Sequence, residues 1–362
     1  LEKDYKRIVI KIGSSLLFRR LVVDGCASGI NIDFNIINGI AEQIIRLIKN
    51  GKEVVIVSSG AIARGMCMLK LVSRPKELSY LQAVAAIGQH ELMDIYKKLF
   101  KKEKLNCAQI LLTWEDFDSR KRYLNAKNTL LKLLKLCAVP IINENDTVST
   151  DEIKFGDNDR LSALVSSLIG SDLLIILSDV DGLLDRDKKV IPVVGEITTQ
   201  IKELACPTNK KTCVGGMITK IEAAKIAMDS GIPCVIANGR RQDIILSVIN
   251  EPEKYGTLFF PKKGLAARKR WIAFGTKPKG RILVDDGARR ALSNKKSLLS
   301  VGVIGLEGNF EIGDIVSVAD KQDDEFARGK VGLSSKQLDK LKGSRYGKEA
   351  IHRDNIVILQ ET

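Results

Sequence analysis

The sequence predicts an open, mainly parallel α/β sheet sandwiched by helices, followed by a small β-rich domain. Three observations carry this expectation. Strand-like and helix-like runs alternate over the first 260 residues, the pattern of parallel strands joined by helical crossovers. The strand-like runs are Val/Ile/Leu blocks without period-two alternation, as expected of strands buried on both faces. After "GTLFFPKKG" (256–264) the pattern changes to short strands separated by Gly and charged turns, which reads as a separate β domain. The predicted division is 1–260, a linker at 261–266, and 267–362.

"RIVIKIG" (7–13) is a short apolar run ending in Gly. "FNIINGIAEQIIRLIKNG" (34–51) has apolar residues at helical spacing and stops at Gly51, a good C-cap. "EVVIVSSG" (53–60) is a second buried strand, "LQAVAAIGQHELMDIYKKLF" (81–100) a helix, and "AQILLT" (108–113) a third strand. "YLNAKNTLLKLLKL" (123–136) is helical, "VPIINEN" (139–145) a fourth strand, "RLSALVSSLIG" (160–170) a helix and "DLLIILSDV" (172–180) a fifth strand. "GGMITKIEAAKIAMDSG" (215–231) is a helix that leads to the strand "PCVIANG" (233–239). The tail, with "RWIAFG", "GRILVDDGARRAL", "SLLSVGVIGLEG", "DIVSVAD" and "DNIVIL", reads as short strands plus one or two short helices. Ligands of open parallel sheets bind beyond the carboxyl ends of the strands. Here those ends are "KIGSS", "VSSGA", "NEND" and "SDVDG". All are small or polar, which predicts one shared site.

Composition removes several function classes. The seven cysteines (Cys26, Cys67, Cys107, Cys137, Cys206, Cys213 and Cys234) are odd in number, scattered, and form no Cys-x-x-Cys. They read as reduced thiols of a cytoplasmic protein, not as a disulfide framework or zinc site. His90 and His352 are the two histidines, which disfavours both a mechanism with two His at one site and a Ser-His-Asp hydrolase. Apolar runs such as "LLIIL" (173–177) are too short to span a bilayer, and no signal-peptide pattern precedes the first strand. The net charge is +14. The last 101 residues hold 21 basic and 13 acidic side chains, and the first 261 hold 37 and 31. Positive charge is therefore denser in the tail.

Four stretches carry chemistry. In "KIGSS" (11–15), Lys11 ends a strand and Gly13 lets backbone approach a phosphate; a tight turn with a surface lysine is the bland alternative. "SSGAIARG" (58–65) offers hydroxyls and N–H groups at a helix start, and reads equally as an ordinary Ser N-cap. "VGGMITK" (214–220) opens a helix with paired glycines and places Lys220 one turn in; a solvated lysine is again the alternative. None is a Walker A loop. "NENDTVSTDEIKFGDND" (143–159) gathers six carboxylates around one lysine between two buried elements. Six acids exceed what helix capping needs, and EF-hand calcium spacing is missing. Two lysines, three phosphate-friendly turns and a carboxylate/amide cluster on one sheet edge suit phosphoryl transfer, in which positioning and charge neutralisation dominate.

The order of "KIGSS", "VIVSSGAIARG", "LLTWEDF", "VPIINENDTVSTDEIKFGDNDRLSALVS", "LSDVDGL", "GGMITKIEAA" and "GTLF" resembles the glutamate 5-kinases of the amino acid kinase family. It covers residues 7 to 260 and is most specific at 143–164. The tail, with "RKRWIAFG", "GNFEIGDIVSV" and "AIHRDNI", is similar to the C-terminal PUA domain of many such kinases. The resemblance implies the amino acid kinase fold and transfer from ATP to the side-chain carboxylate of L-glutamate, the first step of proline synthesis. It implies that Lys11 and Lys220 neutralise the phosphates and the transferred group, with Asp159 holding both lysines. It places Ser59, Asp146 and Asn158 on glutamate, with Asp157 nearby. Lys11, Gly13, Ser178, Asp179 and the turn Val214, Gly215, Gly216, Met217, Ile218, Thr219 and Lys220 would meet ATP. Mg²⁺ would ride on the ATP phosphates without a direct protein ligand. The family pattern further implies a homo-oligomer (dimer or tetramer), inhibition by proline, coupling to glutamyl phosphate reductase, and no membrane partner.

Two departures stand out. Cys213 and Val214 precede Gly215 where the family usually has Gly-Thr, and Ser178 replaces the Thr of a Thr-Asp pair. The connection "FRRLVVDGCASGINID" (18–33) is long and opens with two arginines, Arg19 and Arg20. Acetylglutamate kinase, aspartokinase and uridylate kinase share the fold, and the 143–159 run separates this chain from them. From a different class, an RNA-binding role of the basic tail is the alternative. Its basic residues are interleaved with acids and few aromatics are available for stacking, so a solvated basic surface is favoured.

Overall fold

The computed structural model describes residues 4–23, 26–148, 158–205, 216–261, 266–344 and 349–359. The chain forms two compact units: Leu1–Asp116 with Tyr123–Gly264, and Phe117–Arg122 with Leu265–Thr362. The short segment at 117–122 thus belongs with the tail domain, a feature that the sequence pattern did not announce.

The chain opens with β1 (Arg7–Ile12), a short α1 (Ser14–Leu17), β2 (Phe18–Val23) and β3 (Cys26–Ile32). Next come α2 (Phe34–Lys49), β4 (Glu53–Ser58), α3 (Ala61–Met68), α4 (Leu78–Lys101) and β5 (Cys107–Leu112). α5 (Trp114–Asp118) and α6 (Arg120–Lys135) precede β6 (Val139–Glu144), α7 (Asn158–Ile169) and β7 (Leu173–Ser178). β8 (Val193–Val194), α8 (Thr199–Leu204), α9 (Met217–Asp229), β9 (Cys234–Asn238), α10 (Ile244–Asn250), α11 (Pro252–Tyr255) and β10 (Gly256–Phe259) complete the first unit.

Eight strands form one sheet in the order β5-β6-β4-β1-β7-β9-β10-β8. β1 pairs in parallel with β4 and β7, β6 with β4 and β5, and β7 with β9. β10 runs antiparallel to β9, so the sheet is mainly parallel. Central β1 has strands on both sides and helices on both faces, which explains its continuous apolar run: Ile8, Val9, Ile10 and Ile12 are fully buried. Each such side chain contributes roughly 1.5–3 kcal/mol relative to exposure.

Register then aligns the strand ends. Ile12 pairs with Ser58 and with Leu177, and Ser178 pairs with Asn238. The turns after β1, β4, β7 and β9 therefore emerge at one level.

Three local features differ from expectation. The 18–33 connection is an antiparallel hairpin, β2 on β3, with Phe18 opposite Ile32. α7 begins at Asn158, earlier than the apolar periodicity indicated. Asn158 and Asp159 lie in its first turn with buried side chains. α3 and α4 approach backbone to backbone. A Cβ on Gly88 would lie 1.8 Å from the Ala61 carbonyl oxygen, and one on Gly65 would lie 1.9 Å from that of Val84.

The second unit contains α12 (Ala267–Phe274), β11 (Gly280–Val284), α13 (Asp286–Ser293), β12 (Leu298–Leu299), β13 (Val303–Gly308), β14 (Ile315–Ala319), β15 (Glu325–Lys330), α14 (Ser335–Leu341), β16 (Glu349–Ile351) and β17 (Ile356–Ile358). Its five-stranded sheet, ordered β13-β11-β14-β15-β17, is mostly antiparallel, and β12 pairs with β16. Its own core includes Ile282, Val284, Phe310, Val316, Val318, Phe326 and Ile351. "RWIAFG" is helical, and Trp271 Nε1 donates to the Phe117 carbonyl at 3.0 Å, which ties 117–122 into this unit.

Candidate active site

Lys11 lies near the carboxyl end of β1, Asp159 in the first turn of α7, and Lys220 in the first turn of α9. The sheet brings them together. Lys11 Nζ sits 2.5 Å from Asp159 Oδ1, and Lys220 Nζ 3.1 Å from Oδ2. Thr219 Oγ1 donates to the same Oδ2 at 2.8 Å. All three charged residues are buried: Lys11 is 6%, Asp159 4% and Lys220 8% exposed. Burial pushes the Asp159 carboxyl up. The attraction of Lys11 and Lys220, with hydrogen bonds from Lys11 and Thr219, outweighs this and holds it below its ordinary value. Asp159 is thus a fixed anion that orients two cations. Lys220 gives another N–H to the Gly216 carbonyl at 3.2 Å. An ammonium has three donors, so one has no partner among the described residues and can serve a ligand.

A second cluster adjoins the first. Asn158 Nδ2 donates to Ser59 Oγ at 2.8 Å, to Asn143 Oδ1 at 2.9 Å and to the Ser58 carbonyl at 3.3 Å. Asn143 Nδ2 donates to Gln89 Oε1 at 2.7 Å. The backbone N–H of Glu144 donates to Asn143 Oδ1 at 2.9 Å. That contact fixes the direction of the chain, because a backbone N–H can only donate. Asn143 must present oxygen to it, so Asn158 must present nitrogen to Asn143. Asn158 Oδ1 is left buried and without a donor among the described residues. A buried acceptor in that state favours a ligand that brings an N–H. Below this cluster Ser58 Oγ and Tyr96 OH lie 2.9 Å apart; burial pushes the Tyr96 hydroxyl up to about 12, against a smaller lowering by Ser58.

The turns frame these groups. Gly13 caps α1, and its N–H donates to the Leu177 carbonyl at 3.2 Å. Gly60 caps α3 at φ 113°, and a Cβ there would lie 2.5 Å from the Phe18 ring. Gly216 caps α9 at φ 81°, a left-handed value that favours glycine. Met217, Ile218 and Thr219 follow half-buried. Ser178 ends β7, and its Oγ donates to the exposed Asp179 carboxylate at 3.1 Å. Asp146 lies half-buried just beyond β6. Asp157, Val214 and Gly215, with Cys213, fall outside the described residues.

Sequence reasoning did not single out Gln89, Asn143 or the turn Asn238–Arg241. Gln89 had a legible signal: it is a polar residue on the buried stripe Leu81, Val84, Ala85, Gly88, Leu92 and Tyr96 of α4. The remaining two depend on long-range packing.

The family model for the amino acid kinase family matches residues 6–238, and that for the PUA domain matches 280–352. A glutamate 5-kinase of Thermoanaerobacter sp. (strain X514) is 45% identical over 373 residues, covering 98% of each chain. One from Caldanaerobacter subterraneus subsp. tengcongensis is 46% identical at the same coverage. One from Syntrophotalea carbinolica is 43% identical over 98% of this chain and 97% of the relative. A solved PUA domain from Aeropyrum pernix K1 is 32% identical over 25% of this chain and 49% of that one, at a TM-score of 0.22. Similarity of this extent, running end to end through both domains, makes the chain a member of the amino acid kinase family, within its glutamate 5-kinase branch.

Proposed function

We propose that the chain transfers the γ-phosphoryl group of ATP to the side-chain carboxylate of L-glutamate, giving L-glutamyl 5-phosphate and ADP, and so opens proline synthesis. The observation that carries this is the buried Lys11–Asp159–Lys220 triad beside the Asn158 amide cluster at one edge of one sheet. A free glutamate side chain titrates near ~4.3, so the nucleophile is already ionised and needs no general base. The obstacle is the approach of two anions. Lys11 and Lys220 lower it by facing the phosphates and the oxygens that gain charge in transfer, while Asp159 keeps both in place. The attacking carboxylate oxygen forms the new P–O bond, the bond to the β-phosphate oxygen breaks, and ADP leaves with that electron pair.

Glutamate's α-ammonium has two acceptors within the proposed pocket, Asn158 Oδ1 and the Asp146 carboxylate, and Ser59 lines the same side. In this reading Gly13, Ser178, Asp179 and the turn at 216–220 serve the nucleotide; Asp157 on the glutamate side, and Val214 and Gly215, assigned with them from the resemblance, lie outside the described residues. Asp159 is taken up by two lysines and Thr219, which supports Mg²⁺ held by the nucleotide's own phosphates. When bound, the ion neutralises phosphate charge.

The same reading includes a homo-oligomer of dimer or tetramer size, inhibition by proline at the glutamate pocket, and handover of the acyl phosphate to glutamyl phosphate reductase. It also places the chain in the cytoplasm, supported by the free cysteines Cys67, Cys107, Cys137 and Cys234. No helix among the described residues is long and apolar enough to cross a membrane.

The test is phosphorylation by the purified protein with ATP, Mg²⁺ and hydroxylamine. Glutamate, aspartate and N-acetylglutamate are followed as hydroxamates, and UMP by ADP release. Hydroxamate forms with glutamate and falls about 10²–10³-fold in Lys220→Ala. N-acetylglutamate, which lacks the ammonium, is rejected. Turnover of another acceptor in place of glutamate refutes the assignment.

A further inference from the structure

The turn that follows β9 makes contacts that the proposed reaction does not yet use. Gly239 donates its N–H to the Ser178 carbonyl at 2.8 Å. It packs where no side chain fits: a Cβ there would lie 2.3 Å from Leu16 Cδ1 and 3.2 Å from Leu177 Cβ. Next to it, Arg240 Nη2 donates to the Ser15 carbonyl at 2.7 Å, and its Nη1 lies 3.6 Å from Asp33 Oδ2. α1 is a single turn, so its carbonyls are end groups that need partners from elsewhere. The Phe18 N–H takes that of Ser14, and Arg240, 225 residues away in sequence, takes that of Ser15. On the other flank, Asn238 Nδ2 donates to Asp181 Oδ1 at 3.1 Å and Arg241 Nη2 lies 2.8 Å from the same oxygen. The Asn238 side chain also braces the turn itself by accepting from the Arg240 N–H at 3.0 Å.

One four-residue turn therefore grips two others. Through Arg240 it holds the turn that begins at Gly13; through Asn238 and Arg241 it holds the turn after Ser178. We infer that Asn238–Arg241 is a positioning element that sets the separation of these two nucleotide-facing turns, with Arg240 as the positioning residue for the phosphate turn. The inference rests on the proposed assignment of those turns to ATP. Arginine is the suitable residue because its planar fork reaches a carbonyl and a carboxylate together, whereas a lysine ammonium is a point donor. The glutamate-side groups Ser59, Asn143 and Asn158 share no hydrogen bond with Arg240 among the described residues.

The experiment compares the full-length protein with Arg240→Ala, Arg240→Lys and Asn238→Ala. ATP binding is measured by calorimetry without glutamate, and steady-state kinetics are measured for each substrate. Arg240→Ala raises both the Kd and the KM for ATP by about tenfold, the scale of one charge-assisted hydrogen bond. The KM for glutamate at saturating ATP stays within about twofold, since that pocket is not gripped. Arg240→Lys falls between, and Asn238→Ala weakens ATP in the same selective way. An Arg240→Ala protein with wild-type Kd and KM for ATP overturns the inference. So does an equal loss for both substrates together with a lowered Tm, because that marks a merely structural role. If Arg240→Ala does not fold, Arg240→Lys and Asn238→Ala decide by the same criteria. If the wild-type protein binds ATP and does not phosphorylate glutamate, the proposed reaction fails, while the calorimetric comparison still judges the positioning role.

Discussion

Replacing Asp159 with Asn tests the centre of the site most directly. The carboxylate lies 2.5 Å from Lys11 Nζ and 3.1 Å from Lys220 Nζ, and it is 4% exposed. Asparagine keeps one acceptor and turns an NH₂ toward the other ammonium, so a buried cation loses its partner. Removing one member of a buried pair costs about 3–5 kcal/mol. In a unit of this size that lowers Tm by about 2–4 °C per kcal/mol, a shift well outside measurement scatter. The lysines are then no longer held, and displacement of about 1 Å at such a site costs about 10²-fold in kcat.

The stability term has a pH signature. The folded-state pKa of Asp159 lies below its ordinary value of 3.8, so the unfolded chain binds more protons in the window between the two. Stability from this group is fully present above 3.8 and is lost as pH falls through the depressed folded value. The Tm difference between wild type and Asp159→Asn should be widest near neutrality and close on acidification below 3.8. Calorimetric scans across pH and the hydroxamate assay read both effects. An Asp159→Asn protein with wild-type Tm at neutral pH, or with kcat within a few-fold of wild type, would refute the argument.

Gly88→Ala should destabilise, although alanine is the better helix former by about 1 kcal/mol. The new Cβ meets the Ala61 carbonyl oxygen at 1.8 Å and the Gly65 nitrogen at 2.3 Å, so the helices must part, at a cost of about 3 kcal/mol; a raised Tm would contradict this. Gln89→Ala removes the acceptor for Asn143 and loosens the chain that aims Asn158. The KM for glutamate should rise about tenfold with that for ATP unchanged, and equal changes in both would sink the relay. Among the described cysteines, Cys137 is exposed and should react with a maleimide in the native state. Cys234 is buried, and burial followed by the charge of Asp159 pushes its thiol up; mass spectrometry should find it labelled only after unfolding.

Much of this fold was legible because its strands are buried on both faces. A strand such as "LLIILS" has no polar face to confuse with a helix, and glycines mark the turns that follow. The hairpin at 18–32 was less legible, because its two strands lie outside the main sheet and lack that apolar run. Helix starts were misjudged where function overrides pattern. The apolar periodicity starts this helix at Arg160, yet Asn158 and Asp159 already lie in its first turn with buried side chains. The grip of Arg240 on Ser15 spans 225 positions, and no local pattern encodes it. The closeness of α3 and α4 was hidden for the same reason: two isolated glycines, Gly65 and Gly88, mean nothing until the helices are seen to cross there.

The acidic run from 143 to 159 poses a question of charge, since the proposed substrates are themselves anions. The described part of it resolves the conflict by direction. Asp159 spends its charge on Lys11 and Lys220, so it faces the cations and not the substrates. Asn143 and Asn158 carry no charge and pass a fixed hydrogen-bond polarity from the Glu144 N–H toward the pocket. The two devices differ in what they leave open: the triad leaves ammonium donors for phosphate, and the relay leaves an amide oxygen for an N–H. In the proposed reading, an ATP-side and an amine-side surface thus arise from adjacent residues, Asp159 and Asn158, on one helical turn. Because side chains at successive helical positions point in different directions, the first turn of α7 can serve both at once. Moving that turn by a single residue would rotate both side chains by about 100° and leave neither substrate correctly met.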